Sequence, residues 1–322
     1  MQKALRKLLP NASNRMKSHP SLYTQQNRAN HKADRLQPHK SLGQNFLRDP
    51  NIARNIVRAL EIADGDVLLE IGPGEGALTA LLLASPAAHI VAVEYDARAV
   101  ELLTIRFSSE IASKRLRIIH SDILKLTLED AFINSTAVSN QPFKIVGNIP
   151  YYITSDILFW AFNEWATQHM NIDTSLRISP AKMIIMMQKE VAQRITARPR
   201  TKEYGILSIA SLLVSDPALL FHVSPQCFFP PPKVTSSVVE FRMKSHPADA
   251  ANFRAVHPFV RVAFNQRRKV LSNALSSLLP KDRLPEMLAA AEMRKISYFR
   301  SRAEELTPQD FILLYEFINE FR

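Results

Sequence analysis

The chain is poor in cysteine, in glycine and in long apolar runs, and each shortage narrows what it can be. Cys227 is its one cysteine, which excludes an internal disulfide and indicates a reducing compartment. The longest apolar stretches, such as Ile206 to Val214, are broken by serines and fall far short of a bilayer's width. No membrane segment is expected. The nine histidines are scattered, with no pair at metal-ligand spacing on one helix face, so no metal site is expected. Glycine numbers only seven. Yet Gly72, Gly74 and Gly76 share one loop, Gly147 precedes Asn148, and Gly43 opens Gly43-Gln44-Asn45-Phe46-Leu47. Glycine costs backbone entropy and is kept where a side chain does not fit. This clustering predicts a backbone surface that a ligand approaches closely.

Acidic residues are scarce at the start. Residues 1–40 carry nine Lys/Arg against the one acid Asp34, a large part of the net charge of +11. The segment has almost no apolar periodicity and is expected to be disordered. A nucleic-acid-binding arm is the reading preferred here; a targeting peptide, a solubilising tail and an early start codon are the others. The chain's 322 residues, 46% of them hydrophobic, leave room for about two domains of ~150 residues. The pattern divides into the extension 1–40, a first domain 41–244 and a helical second domain 245–322.

The first domain alternates strands and helices. Asp49-Pro50 opens a helix, with Asp49 as cap and Pro50 at the first helical position. Apolar strands follow at Val67 to Ile71, His89 to Val93, Leu116 to Ile119, Lys144 to Val146 and Met183 to Met187, with a helix over Ala77 to Leu83. Such alternation predicts an α/β, Rossmann-like parallel sheet with its ligand crevice at the strands' carboxyl ends.

The glycine loop reads G-x-G-x-G and not the dinucleotide pattern G-x-G-x-x-G. Glu75 stands where a phosphate would meet the following helix, so a ligand without phosphates fits better. Glu94, at the next strand tip, suits two ribose hydroxyls, and Asp122 suits an adenine amino group. S-adenosylmethionine uses that set of contacts. Acidic residues at strand ends are also ordinary loop residues; it is the ordered series of glycine loop, Glu94, Asp122 and Asn148 that points to a site. Asn148-Ile149-Pro150-Tyr151 has two readings. The amide offers a donor and an acceptor to a base edge, and the aromatic offers a stacking face. Alternatively it is a strand end running into a turn, with Tyr151 and Tyr152 in the core.

Four segments resemble the motifs of the ribosomal RNA adenine N6,N6-dimethyltransferases. They are Ser41-Leu42-Gly43-Gln44-Asn45-Phe46-Leu47, Glu70-Ile71-Gly72-Pro73-Gly74-Glu75-Gly76, Asn148-Ile149-Pro150-Tyr151 and Phe228-Phe229-Pro230-Pro231-Pro232-Lys233-Val234. Phe264-Asn265-Gln266-Arg267-Arg268-Lys269 is similar to the bacterial small-subunit branch. The likeness runs from about Leu42 to the C-terminus and leaves out residues 1–40. It implies a Rossmann-like S-adenosylmethionine-dependent methyltransferase domain followed by a small all-helical one. Asn45, Leu47, Gly72, Glu94, Asp122 and Asn148 would contact the cofactor, with Gly74 in the same loop. Asn148, Ile149, Pro150 and Tyr151 would hold the target adenine, the Asn148 side-chain oxygen and the Ile149 carbonyl accepting from N6. Phe228 would be a second ring over the base, with Phe229 one residue away as the competing assignment. The implied substrate is a pair of adjacent adenosines in a hairpin loop near the 3′ end of 16S rRNA, in the small ribosomal subunit.

Beyond Glu240 helices are expected at Phe253 to Phe264, Arg267 to Leu279, Leu284 to Glu292 and Pro308 to Phe321. Arg261, Arg267, Arg268 and Lys269 gather positive charge there, and loop RNA is expected to meet that face. A nicotinamide-dependent oxidoreductase is disfavoured by the loop spacing, and a DNA adenine methyltransferase more often shows Asp-Pro-Pro-Tyr. A 23S rRNA methyltransferase of the antibiotic-resistance type shares the first domain. A non-catalytic assembly checkpoint on the small subunit is compatible with catalysis. The protein is expected to be a cytoplasmic monomer.

Overall fold

The computed structural model describes residues 36–39, 42–133, 142–170 and 178–322; the expected basic arm lies almost wholly outside them. Among the described residues the strands are β1 (Phe46–Leu47), β2 (Val67–Ile71), β3 (His89–Glu94), β4 (Leu116–His120) and β5 (Phe143–Asn148). They continue with β6 (Pro180–Gln188), β7 (Ser215–Val223), β8 (Phe228–Phe229) and β9 (Ser236–Met243). The main sheet has the order β4-β3-β2-β5-β6-β9-β7, and β1 pairs with β8 in a separate ribbon.

Its five adjacent strands β4-β3-β2-β5-β6 are those the apolar runs predict. β2 is buried along its whole length, as a strand covered on both faces must be. Alternate residues point to opposite faces: Val67, Leu69 and Ile71 join one apolar cluster and Leu68 the other. The preceding helix, Pro50–Ala59, is capped as expected, with Asp49 Oδ1 accepting from the Asn51 and Ile52 N–H groups at 2.7 and 3.2 Å.

Two expectations need correction. The sheet is mixed: β2 to β6 are parallel, but β9 runs antiparallel to both β6 and β7. β7 went unread because Pro217 lies within it and most of its residues are exposed, both marks of an edge strand. The helix expected over Arg267 to Leu279 shrinks to Leu271–Ala274. Val270 bridges to Arg302, and Leu271 N–H donates to the Ser301 carbonyl at 2.8 Å, which fixes the backbone before a helix can begin. The other C-terminal helices form at Pro247–Asn265, Leu284–Met293 and Pro308–Asn319. Phe253, Phe259 and Phe311 from this region share one apolar cluster with Phe162 and Phe241.

The chain reverses its winding between β2 and β5, so their carboxyl ends flank a crevice. They are unusually close there. Ile71 pairs with Gly147, and a Cβ on Gly147 would lie 2.8 Å from the Ile71 carbonyl oxygen. Gly147→Ala is therefore expected to destabilise the fold by about 1–3 kcal/mol, seen as a lower urea midpoint. An unchanged midpoint would contradict so tight a contact.

Candidate functional site

A cavity of about 480 Å³ opens at the carboxyl ends of β2, β3 and β5. Five chain segments meet around it. The residue 43–47 segment contributes Asn45 and Leu47, the glycine loop Gly72 and Gly74, the tips of β3 and β4 Glu94 and Asp122, and the end of β5 Asn148 to Tyr151. The structure thus brings together, in one cavity wall, residues separated by about a hundred positions in sequence.

Most of the glycines are there for the protein's own packing. A Cβ on Gly74 would meet the Phe46 ring at 3.1 Å, and one on Gly76 would meet Leu103 and Phe107 at 2.8 Å. Gly72 alone of the loop is open, its nearest neighbour being the Asn148 carbonyl at 3.8 Å. The expectation that all of these glycines mark ligand approach is corrected to Gly72. The loop's N–H groups are also consumed internally. Gly72 N–H donates to the Val93 carbonyl (2.9 Å), Gly74 N–H to Glu94 Oε2 (2.9 Å) and Gly76 N–H to the Pro73 carbonyl (2.9 Å). Those three glycine amides are therefore not available to a phosphate. Glu75, expected to repel phosphate, is instead paired with Arg48 at 2.6 Å.

Glu94 is nearly buried, and burial raises its carboxyl above the usual range, against the lowering pull of N–H groups from Asp96, Gly74 and Tyr95. Its Oε1 accepts from Asp96 N–H at 2.8 Å, so the carboxylate is fixed in direction before any ligand arrives. Asp122 Oδ1 accepts from Leu124 N–H at 3.1 Å. Asn148 Nδ2 donates to the Asn45 carbonyl at 3.0 Å. That contact orients the amide and uses one of its two N–H hydrogens, while Oδ1 has no hydrogen-bond partner among the described residues. The Pro150 carbonyl accepts from Thr154 Oγ1 at 3.2 Å, pinning the turn. Ile149 buries its side chain in the core. Tyr151 is half-buried and its hydroxyl bonds to Ser236 Oγ, whereas Tyr152 is 61% exposed. The core reading of both tyrosines fails.

Phe228 departs from its expected place. It is 4% exposed, pairs with Leu47 across the β1–β8 ribbon, and lies in an apolar cluster with Val223 and Val238 rather than in the cavity wall. Phe229 is 48% exposed, with the Arg48 guanidinium 5.6 Å from its ring centre. Of the basic residues, Arg261, Arg268 and Lys269 are exposed and stand away from the cavity. Arg267 is different: it donates to Glu304 at 2.6 Å and to the Thr201 carbonyl at 3.2 Å. It staples the loop at Thr201 to the C-terminal region and is not a free cation for RNA.

Sequence reasoning missed Glu70, although an acid inside an apolar strand was the signal. It lines the cavity, is 1% exposed, and accepts from Thr79 Oγ1 at 2.7 Å. Burial lifts its carboxyl to about 7, against the lowering effect of the Thr79 hydroxyl. The folded protein holds a proton there that an unfolded chain, with the ordinary value of 4.5, releases. Stability from this group is present at low pH and is lost as pH rises from about 4.5 through about 7. Glu70→Gln removes that loss, worth about 3 kcal/mol. Urea unfolding of both proteins at pH 5 and pH 8 checks it; parallel pH dependence would contradict the assignment.

Comparison with known proteins agrees with this geometry. The ribosomal RNA adenine dimethylase family matches residues 35–320. The chain is 40% identical over 276 residues to the ribosomal RNA small subunit methyltransferase A of Desulfitobacterium hafniense, covering 85% of this chain and 89% of that one. The protein of the same name from Methylococcus capsulatus is 38% identical, covering 88% of this chain and 98% of its own length. Two solved structures share the fold at 24% identity. A dimethyladenosine transferase from Plasmodium falciparum has a TM-score of 0.67, over 86% of this chain and 98% of that one. The 23S rRNA methyltransferase ErmE has a TM-score of 0.58, over 85% and 100%. Matched across almost its whole described length, the chain belongs to the ribosomal RNA adenine dimethylase family and is an S-adenosylmethionine-dependent rRNA adenine methyltransferase.

Proposed function

We propose that the protein dimethylates N6 of two adjacent adenosines in a hairpin loop near the 3′ end of 16S rRNA, within the small ribosomal subunit, as part of that subunit's biogenesis. The substrate branch is supported by relatives named for the small subunit at 38–40% identity, against a likeness of fold alone to a 23S enzyme. The reading places the reaction in the cytoplasm and in a single copy of the chain, with residues 41–244 as the methyltransferase domain and 245–322 as the helical RNA-binding one.

The cavity's chemistry suits the cofactor. Glu94 is held so that its remaining lone pairs face ribose hydroxyls, Asp122 keeps one oxygen for an adenine amino group, and Asn45, Leu47 and the Gly72–Gly74 backbone form the opposing wall. Glu70, protonated up to about pH 7, adds a buried carboxyl to the cavity wall and no fixed negative charge. S-adenosylmethionine, when bound, supplies a methyl on a sulfonium that is already activated for transfer. The protein's task is then to hold the target nitrogen. The exocyclic N6 is a poor nucleophile because its lone pair is shared with the ring. Asn148 Oδ1 and the Ile149 carbonyl accept its two hydrogens and draw it toward tetrahedral geometry, while Tyr151 stacks on the base. Extruding the base costs a few kcal/mol, and positioning of this kind can return on the order of 7–11 kcal/mol. Arg261, Arg268 and Lys269 meet RNA phosphates farther away.

The Asn148 amide, oriented by the Asn45 carbonyl, is the observation that carries this reading. Asn148→Ala is expected to lower methyl transfer to unmodified small subunits by about 100-fold while cofactor affinity, measured by calorimetry, changes far less. A variant that methylates at near the wild-type rate would sink the mechanism.

A further inference from the structure

Tyr151 is tethered by a residue 85 positions away. Its hydroxyl shares a hydrogen bond with Ser236 Oγ, and Ser236 is fully buried at the first position of β9. That strand lies between β6 and β7, and Ser236 is paired on both sides, with Gln188 and with Val223. The next residue, Tyr152, lines the same cavity without such an anchor and is mostly exposed. Burial also raises the Tyr151 phenol above its usual value, so the ring stays neutral and keeps its proton for this contact.

An aromatic side chain turns about two torsions. At its near end Tyr151 is set by the Pro150 turn, whose carbonyl accepts from Thr154. At its far end the hydroxyl is set by β9. With both ends held, the direction of the ring's long axis is set by β9 as well as by the 148–151 segment.

We propose that Ser236 is a positioning residue for methyl transfer, its hydroxyl holding the Tyr151 ring at the tilt on which an extruded adenine stacks. The inference rests on the reading of Tyr151 as the stacking ring. It also gives the Pro230-Pro231-Pro232-Lys233 segment a role, since that segment leads directly into β9 and delivers Ser236.

A double-mutant cycle tests the link. Methyl transfer to unmodified small subunits is measured for the wild type, Ser236→Ala, Tyr151→Phe, the double variant and Tyr151→Ala, with cofactor affinity and melting temperature recorded for each. The expected result is a loss of about tenfold in kcat for each single variant, less than the ~100-fold that a full 1 Å displacement can cost. The double variant should be no worse than either single one, with KM for the cofactor unchanged throughout. Losses that multiply to about 100-fold would overturn the proposal, because the two hydroxyls would then act independently. So would a fully active Ser236→Ala beside an impaired Tyr151→Ala, an outcome that leaves the stacking reading intact. A fully active Tyr151→Ala would remove the stacking reading itself, and the proposal with it.

Discussion

The site depends on one close backbone contact. At the point where the sheet reverses its winding, β2 and β5 approach so nearly that only glycine fits at position 147, against the Ile71 carbonyl. Each strand then releases its chain into the same crevice. From β2 comes the glycine loop and from β5 comes Asn148. A third segment closes over both: the Asn45 carbonyl takes the Asn148 amide hydrogen, and the Phe46 ring lies against Gly74. The geometry of three distant motifs is thus set by the protein's own packing, which suits low-cost positioning of reacting groups.

Charge is divided within the molecule. The chain as a whole is strongly basic, yet Glu94 and Asp122 put acidic side chains in its cavity. The amides of its three loop glycines are spent on Val93, Glu94 and Pro73. Such a cavity favours a cationic, phosphate-free nucleoside, while exposed cations elsewhere favour the phosphates of a polyanion. After transfer the ligand's sulfur is neutral, so part of the electrostatic attraction that holds the substrate form is absent from the product form.

Much of this was legible from the sequence, because its signals are local. The central strands declare themselves as short apolar runs, Asp49-Pro50 as a helix start, and the Gly72 loop with Glu94, Asp122 and Asn148 as strand tips in order. What was not legible depends on pairing at a distance. β7 is exposed and contains Pro217, and its place in the sheet follows only from β9. The β1–β8 ribbon is two residues long on each side and buries Phe228, which motif reading alone assigns to the base. Arg267 reads as one of a basic run until Glu304 and Thr201 are seen beside it. The glycine argument was half right: the loops do surround a ligand cavity, but Gly74, Gly76 and Gly147 are required by protein neighbours. Glu70 was visible as a letter and invisible as a role, because its consequence comes from complete burial.

The most direct test of the account is transfer of labelled methyl groups to isolated small and large ribosomal subunits lacking these modifications, followed by nucleoside analysis. Label recovered as N6,N6-dimethyladenosine from the small subunit alone is the predicted result. Label on large-subunit RNA, or no label on either subunit from protein that binds the cofactor, would contradict it.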